Sequence, residues 1–142
     1  MNKIVPAALA TVAIAGGAYY LTRPDAPEPS AQQAEGQPLV SITVPDTLSA
    51  DAMMGQRAFD ATCAACHGTN ATGKKGFGPP LVHKIYEPNH HADMAFLMAV
   101  QNGVRSHHWP FGDMPAQSGL TKADVGNIVA YVRELQRANG IE

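Results

Sequence analysis

The chain has 142 residues, with 45% hydrophobic and only 6% aromatic content, two cysteines and a formal net charge of −2. That length holds one domain plus a targeting segment. The near-neutral balance gives no basic footprint for nucleic acid, which is excluded as a partner, and no strong electrostatic preference for any other.

Asn2 and Lys3 precede an apolar run from Ile4 to Leu21, interrupted by Pro6, Thr11 and small residues. Its length is at the lower edge for crossing a bilayer. Two readings compete for residues 1–21. An uncleaved signal-anchor uses the whole run and sets Tyr19 and Tyr20 at the far interface. A cleaved signal peptide takes Lys3 as its charged end and Ala13-Ile14-Ala15 as its processing site, leaving a soluble periplasmic protein. The anchor is preferred, because cleavage after Ala15 leaves an apolar stub, Gly16 to Leu21, with no evident use. Residues 22–48 read as a Pro-rich flexible linker: Pro24, Pro27, Pro29 and Pro38 alternate with Ser, Ala, Gln and Glu, a composition that buries little and stays extended. Acidic Asp25, Glu28, Glu35 and Asp46 face only Arg23 there, whereas charges balance from Asp51 onward.

The folded domain is expected over 49–142, all-α and without a strand pattern. Ser49 or Asp51 caps a first helix through Met53, Gly55, Ala58 and Phe59 to about Cys63. A Gly-rich loop spans Gly68 to Pro80. A second helix, Ala92 to Asn102, stops at Gly103. Its run Ala95 to Val100 is apolar on nearly all sides and predicts burial. After a loop from Val104 to Gly119, Thr121 caps the last helix, with Asp124 in its first turn and Val125, Ile128, Val129, Val132 and Leu135 at helical spacing. Gly55, Phe59 and Tyr131 predict the crossing of the first and last helices.

Both cysteines fall in Cys63-Ala64-Ala65-Cys66-His67. C-x-x-C followed by His is the attachment pattern of a c-type haem. Each thiol can add to one vinyl group, and the adjacent imidazole is placed to bind iron. A zinc site would recruit a second Cys/His pair at short spacing, and a thioredoxin-like pair expects strands alternating with helices. The sequence offers neither. A bound macrocycle would form a large part of the core of so small a domain.

Read together with Gly78-Pro79-Pro80-Leu81, Met114-Pro115 and the two framing helices, the motif resembles a class I c-type cytochrome, of the membrane-anchored bacterial kind, over roughly Ser49 to Asn139. The resemblance implies the class I cytochrome c fold, with helices wrapped around one covalent haem. It makes His67 the proximal iron ligand and gives the Pro79 carbonyl as acceptor for its Nδ1–H. Met114 becomes the distal ligand. Met53 and Met54 lie on the first helix, and Met94 and Met98 are expected to pack, whereas Met114 sits on a loop stiffened by Pro115. Thioether ligation raises the potential relative to two nitrogen ligands. Trp109 can donate its indole N–H to a haem propionate or be buried in the core, and Arg105 can face a propionate or solvent.

With two protein ligands the iron has no open position, so the implied function is single-electron carriage rather than catalysis, between redox donor and acceptor proteins that include membrane complexes. The place implied is the periplasmic face of a bacterial inner membrane. Three alternatives stay open: bis-His ligation through His107 or His108, a haem peroxidase or gas-binding sensor with a labile distal site, and a metal-handling protein using His83, His90 and His91. Adjacent histidines are expected to point apart on a helix, which argues against the last.

Overall fold

Every regular element in the computed structural model, which describes residues 34–142, is helical. The helices are α1 (Ala50–Thr62), α2 (Ala64–His67), α3 (Asp93–Asn102) and α4 (Lys122–Ala138), with 3₁₀ turns at Thr69–Ala71 and Lys84–Tyr86. Among the described residues there is no β-strand, only two single antiparallel backbone pairings, Lys74 with Gly78 and Val104 with Met114. The expected all-α class is the one found. The apolar run in 1–21 and linker residues 22–33 lie outside the described residues. No helix among the described residues is long and apolar enough to cross a membrane.

The long helix α4 starts where its cap chemistry dictates. The Thr121 hydroxyl accepts from the Asp124 amide at 3.2 Å, and the Asp124 carboxylate accepts from the Thr121 amide at 2.8 Å. Two donors that a helix start leaves unpaired are thereby satisfied reciprocally, and these bonds hold the Asp124 carboxyl below the usual carboxylate range. The stripe Val125, Ile128, Val129, Val132 and Leu135 is buried. Helix α1, capped by the Ser49 side chain, crosses α4 at Gly55. A Cβ on Gly55 would lie 1.8 Å from the Asn127 carbonyl oxygen, so the crossing needs a residue without one. Phe59 and Tyr131, both fully buried, meet edge-on beside it with centroids 5.6 Å apart. The Tyr131 hydroxyl donates to Asn70 at 3.0 Å, which ties the crossing to the turn after the cysteine motif.

Helix α3 departs from expectation. Only Val100 on it is buried, and Met94 and Met98 are 62% and 48% exposed. Apolar composition all round does not bury every face here, because one helix, α4, covers a single side. The packing role expected for these two methionines is therefore corrected. The loop before α3 is fastened by Arg133 of α4, which no motif singles out. Arg133 donates to the Tyr86 carbonyl at 2.6 Å, to Gln136 at 2.6 Å, to Asp93 at 2.8 Å and to the His91 carbonyl. Gln136, fully buried, donates to the Leu81 carbonyl at 2.8 Å.

The expected flexible linker to residue 48 also needs correction. Its described part, residues 34–48, belongs to the same compact unit as the helices. The Gly36 amide donates to the Lys75 carbonyl at 2.9 Å, the Lys75 amide to the Gln37 carbonyl at 2.9 Å, and the Leu39 amide to the Thr72 carbonyl at 3.1 Å. Asn139 brackets Thr43, accepting from its amide at 2.7 Å and donating to its carbonyl at 2.8 Å. Ile42 and Leu48 pack on the core. Backbone pairing and two aliphatic contacts hold a segment whose composition alone reads as unstructured.

Candidate functional site

Cys63 ends α1 and begins α2 with helical backbone angles, so the chain turns without a break in direction. The amides of Cys66 and His67 both donate to the Cys63 carbonyl, at 3.1 and 2.9 Å. Residues three and four apart on a helical turn share a face. Cys63, Cys66 and His67 accordingly line one cleft of about 240 Å³, with Phe59, Leu81 and Ile128 as part of its apolar wall. Both thiols are free, Cys63 half-buried and Cys66 exposed. Burial, reinforced by Cys66, pushes the Cys63 thiol up to about 11. Disulfide-exchange pairs depend on a lowered thiol pKa, so the electrostatics here run against that chemistry.

His67 Nδ1 donates to the Pro79 carbonyl at 2.9 Å. A carbonyl only accepts, so Nδ1 carries the proton and Nε2 keeps its lone pair. Burial lowers the imidazole pKa, and the Pro79 bond opposes the shift without reversing it. The ring is a neutral nitrogen donor with fixed orientation. The loop beneath it closes through the Lys74–Gly78 pairing, and Lys74 Nζ donates to the Ala65 carbonyl at 3.2 Å, inside the motif.

Met114 lines the same cleft. Its amide and carbonyl pair reciprocally with Val104, both at 2.9 Å. Gly103, at φ +74°, ends α3; a Cβ there would sit 2.6 Å from the Met114 carbonyl oxygen. Gln117 secures the following turn, through its amide to the Val100 carbonyl and its side chain to the Pro115 carbonyl, both at 2.8 Å. None of Met53, Met54, Met94 or Met98 lines the cleft, which leaves Met114 as the one thioether there among the described residues.

Trp109 also lines the cleft, edge-on to His83 at 5.2 Å and stacked on Phe111 at 6.1 Å. Its Nε1 is the buried side-chain polar atom without a hydrogen-bond partner among the described residues. Burial raises the phenol pKa of nearby Tyr86; the indole N–H opposes that shift but stays outside bonding geometry. Arg105 is exposed and does not line the cleft.

The histidines are not arranged as expected. His90, His91, His107 and His108 lie on two loops rather than on helices, so the argument that adjacent residues diverge does not apply, and their rings converge. His107 and His108 are 4.2 Å apart between centroids, and His90 and His91 stack at 4.8 Å.

The donor set tests well against a covalent haem. Two thiols and a neutral, oriented imidazole stand on one wall of an apolar cleft, a thioether on the same cleft, and an orphaned indole N–H awaits an acceptor such as a carboxylate. Sequence reasoning missed the supports: Arg133, Gln136, Gln117 and Asp113, which accepts from the Ser106 amide at 2.8 Å. A signal for Arg133 existed, since it falls on the apolar stripe four residues after Val129.

Fold and site together define an all-α protein built around one covalently attached haem. The cytochrome c family model matches residues 52–136. The chain is 35% identical over 85 residues to cytochrome c-555 of Chlorobaculum thiosulfatiphilum, spanning 58% of this chain and 93% of that protein. It is 35% identical over 85 residues to cytochrome c-555 of Chlorobaculum tepidum, spanning 58% and 74%. The cbb3-type cytochrome c oxidase subunit FixP of Azorhizobium caulinodans is 31% identical over 110 residues, which cover 66% of this chain and 32% of that subunit. The chain belongs to the cytochrome c family. It is a haem-based electron carrier with a covalently bound c-type haem.

Proposed function

We propose that His67 and Met114 are the axial ligands of the haem iron and that the protein carries single electrons with both ligands kept in place. The observation that carries this reading is the shared cleft: an imidazole oriented by the Pro79 carbonyl and, among the described residues, one thioether on the wall. When bound, the haem supplies one-electron chemistry at its iron. Cys63 and Cys66 hold it covalently. The Pro79 bond fixes the His67 ring plane and raises its basicity. Met114 favours the ferrous state, and the Val104, Gly103 and Gln117 contacts keep its loop from yielding the position. Leu81, Phe59 and Ile128 would exclude water, and Trp109 would donate to a haem carboxylate.

The partners are redox proteins, one giving and one taking the electron. We infer that the domain is exported and held at the outer face of the inner membrane by residues 1–21. Supporting this are the apolar, uncharged run after Lys3 and similarity to a protein named as an oxidase subunit. A chain retaining its first residues by intact mass after membrane extraction supports the anchor; one beginning near Gly16 rejects it.

Oxidised and reduced absorption spectra test the ligation. The oxidised protein is expected to show a methionine–iron charge-transfer band, and Met114→Ala to lose it and bind carbon monoxide readily. A wild-type protein that lacks the band and binds carbon monoxide would instead be a haem enzyme or gas sensor.

A further inference from the structure

Four histidines cluster beside the cleft, three of them (His91, His107 and His108) on its lining, and the proposed iron ligation uses none of them. His90 and His91 belong to the loop before α3; His107 and His108 belong to the loop that carries Met114. Ligand nitrogens of His90, His91 and His108 all lie within 4.8 Å of one another. Ring centroids are 5.3 Å apart for His90 and His108 and 5.4 Å for His91 and His108. Three imidazoles on one tetrahedral ion, at about 2.0–2.1 Å each, stand roughly 3.3 Å apart. His90 and His108 are exposed, so their side chains have room to turn toward one another.

His91 has the feature that separates a ligand from a surface histidine. Its Nδ1 donates to the Ile85 carbonyl at 2.7 Å. The tautomer is fixed, and Nε2 is left as a lone pair oriented by an outer hydrogen bond, the arrangement metal-binding histidines adopt. His107 is set the same way, Nδ1 to the Arg105 carbonyl at 2.8 Å, and is the nearest further imidazole, 4.2 Å from His108. Both supporting loops are built. Arg133 grips the first through the Tyr86 and His91 carbonyls. The second is closed by the Val104–Met114 pairing and by Asp113 on the Ser106 amide.

We propose that His90, His91 and His108 bind one divalent first-row metal ion of the zinc or copper kind, with His107 or water in the fourth position. Neutral imidazole suits both ions. The ion would join the loop before α3 to the loop of Met114, so that its binding straps the distal side of the haem site. The strapping role rests on Met114, not His107 or His108, being the iron ligand.

The test uses the haem-loaded full chain, with Zn(II) and separately Cu(II) titrated in competition with a chromophoric chelator. One equivalent of each is expected to bind. His90→Gln and His108→Gln should each weaken binding at least about tenfold, as losing one of three ligands does, while His83→Gln binds as wild type. Bound zinc should slow displacement of Met114 by added imidazole several-fold. Absence of saturable binding, or equal affinity in wild type, His90→Gln and His108→Gln, overturns the proposal. Loss of the low-spin spectrum in His108→Gln without added metal overturns it differently, by moving His108 onto the iron. The methionine–iron band, read in the same samples, reports on the axial assignment independently of zinc stoichiometry.

Discussion

Trp109 shows how much one polar atom can reveal. A buried indole N–H with no acceptor leaves its desolvation uncompensated, a cost of about 1–3 kcal/mol. Its position on the cleft wall is consistent with the proposed bond to a haem carboxylate, and a hydrogen bond to a charged group is worth about 1.5–3 kcal/mol. Trp109→Phe keeps a ring in place and removes the donor. In the haem-loaded protein we expect unfolding by denaturant to become easier by about 1–3 kcal/mol. The midpoint potential should fall as well, because a carboxylate stripped of its donor places more negative charge near the iron and favours the ferric state. Lost stability at an unchanged potential would assign Trp109 to packing alone. The same scale explains the proximal side. The pattern Cys63 to His67 is legible from spacing because covalent attachment permits little variation. The Pro79 carbonyl is a backbone atom and becomes visible only through family resemblance or coordinates.

At the scale of elements, the crossing of α1 and α4 is the tightest constraint. The Asn127 carbonyl occupies the space that any side chain on Gly55 would need, and it belongs to a helix whose own hydrogen bonds resist its movement. Gly55→Ala should therefore destabilise the haem-loaded protein by about 1–3 kcal/mol as overpacking, despite the better helix propensity of alanine, read as a lower denaturation midpoint. Equal stability would mean that the helices separate at no cost. Helix identities, caps and the crossing residues were readable because each depends on local periodicity or on a single residue type. Three features were not. Arg133 joins Tyr86, His91 and Asp93 across 40 residues or more, which no local pattern encodes. The exposed side of α3 depends on how many neighbours it has, not on its composition. The histidine pairs were placed on helical geometry, whereas turns carry them, and a turn can aim adjacent side chains at one point.

For the whole molecule, the boundary of the folded unit decides how the carrier is built. If residues 34–48 were a free tether, a chain beginning at residue 49 would keep full stability. The contacts argue otherwise. The segment passes the Gly36, Gln37 and Leu39 backbone across the loop that closes under the cysteine motif, then runs to Asn139 at the end of α4. It thus adds a further link between the proximal loop and the C-terminal helix, beside α1 and the bonds from Tyr131 to Asn70 and from Gln136 to Leu81. Ile42 and Leu48 are partly buried, so each contributes less than the roughly 2–5 kcal/mol lost when a fully buried aliphatic residue is cut to alanine. We expect a haem-loaded chain starting at residue 49 to melt lower than one starting at residue 34, and Ile42→Ala alone to cost on the order of 1 kcal/mol. The folded unit would then begin ahead of residue 49, inside the stretch whose composition reads as linker. On the proposed membrane attachment that boundary bears on reach, because the effective concentration of a tethered carrier at its partner depends on how linker length matches the span. Identical melting of the two truncated chains would return residues 34–48 to the tether and lengthen that reach.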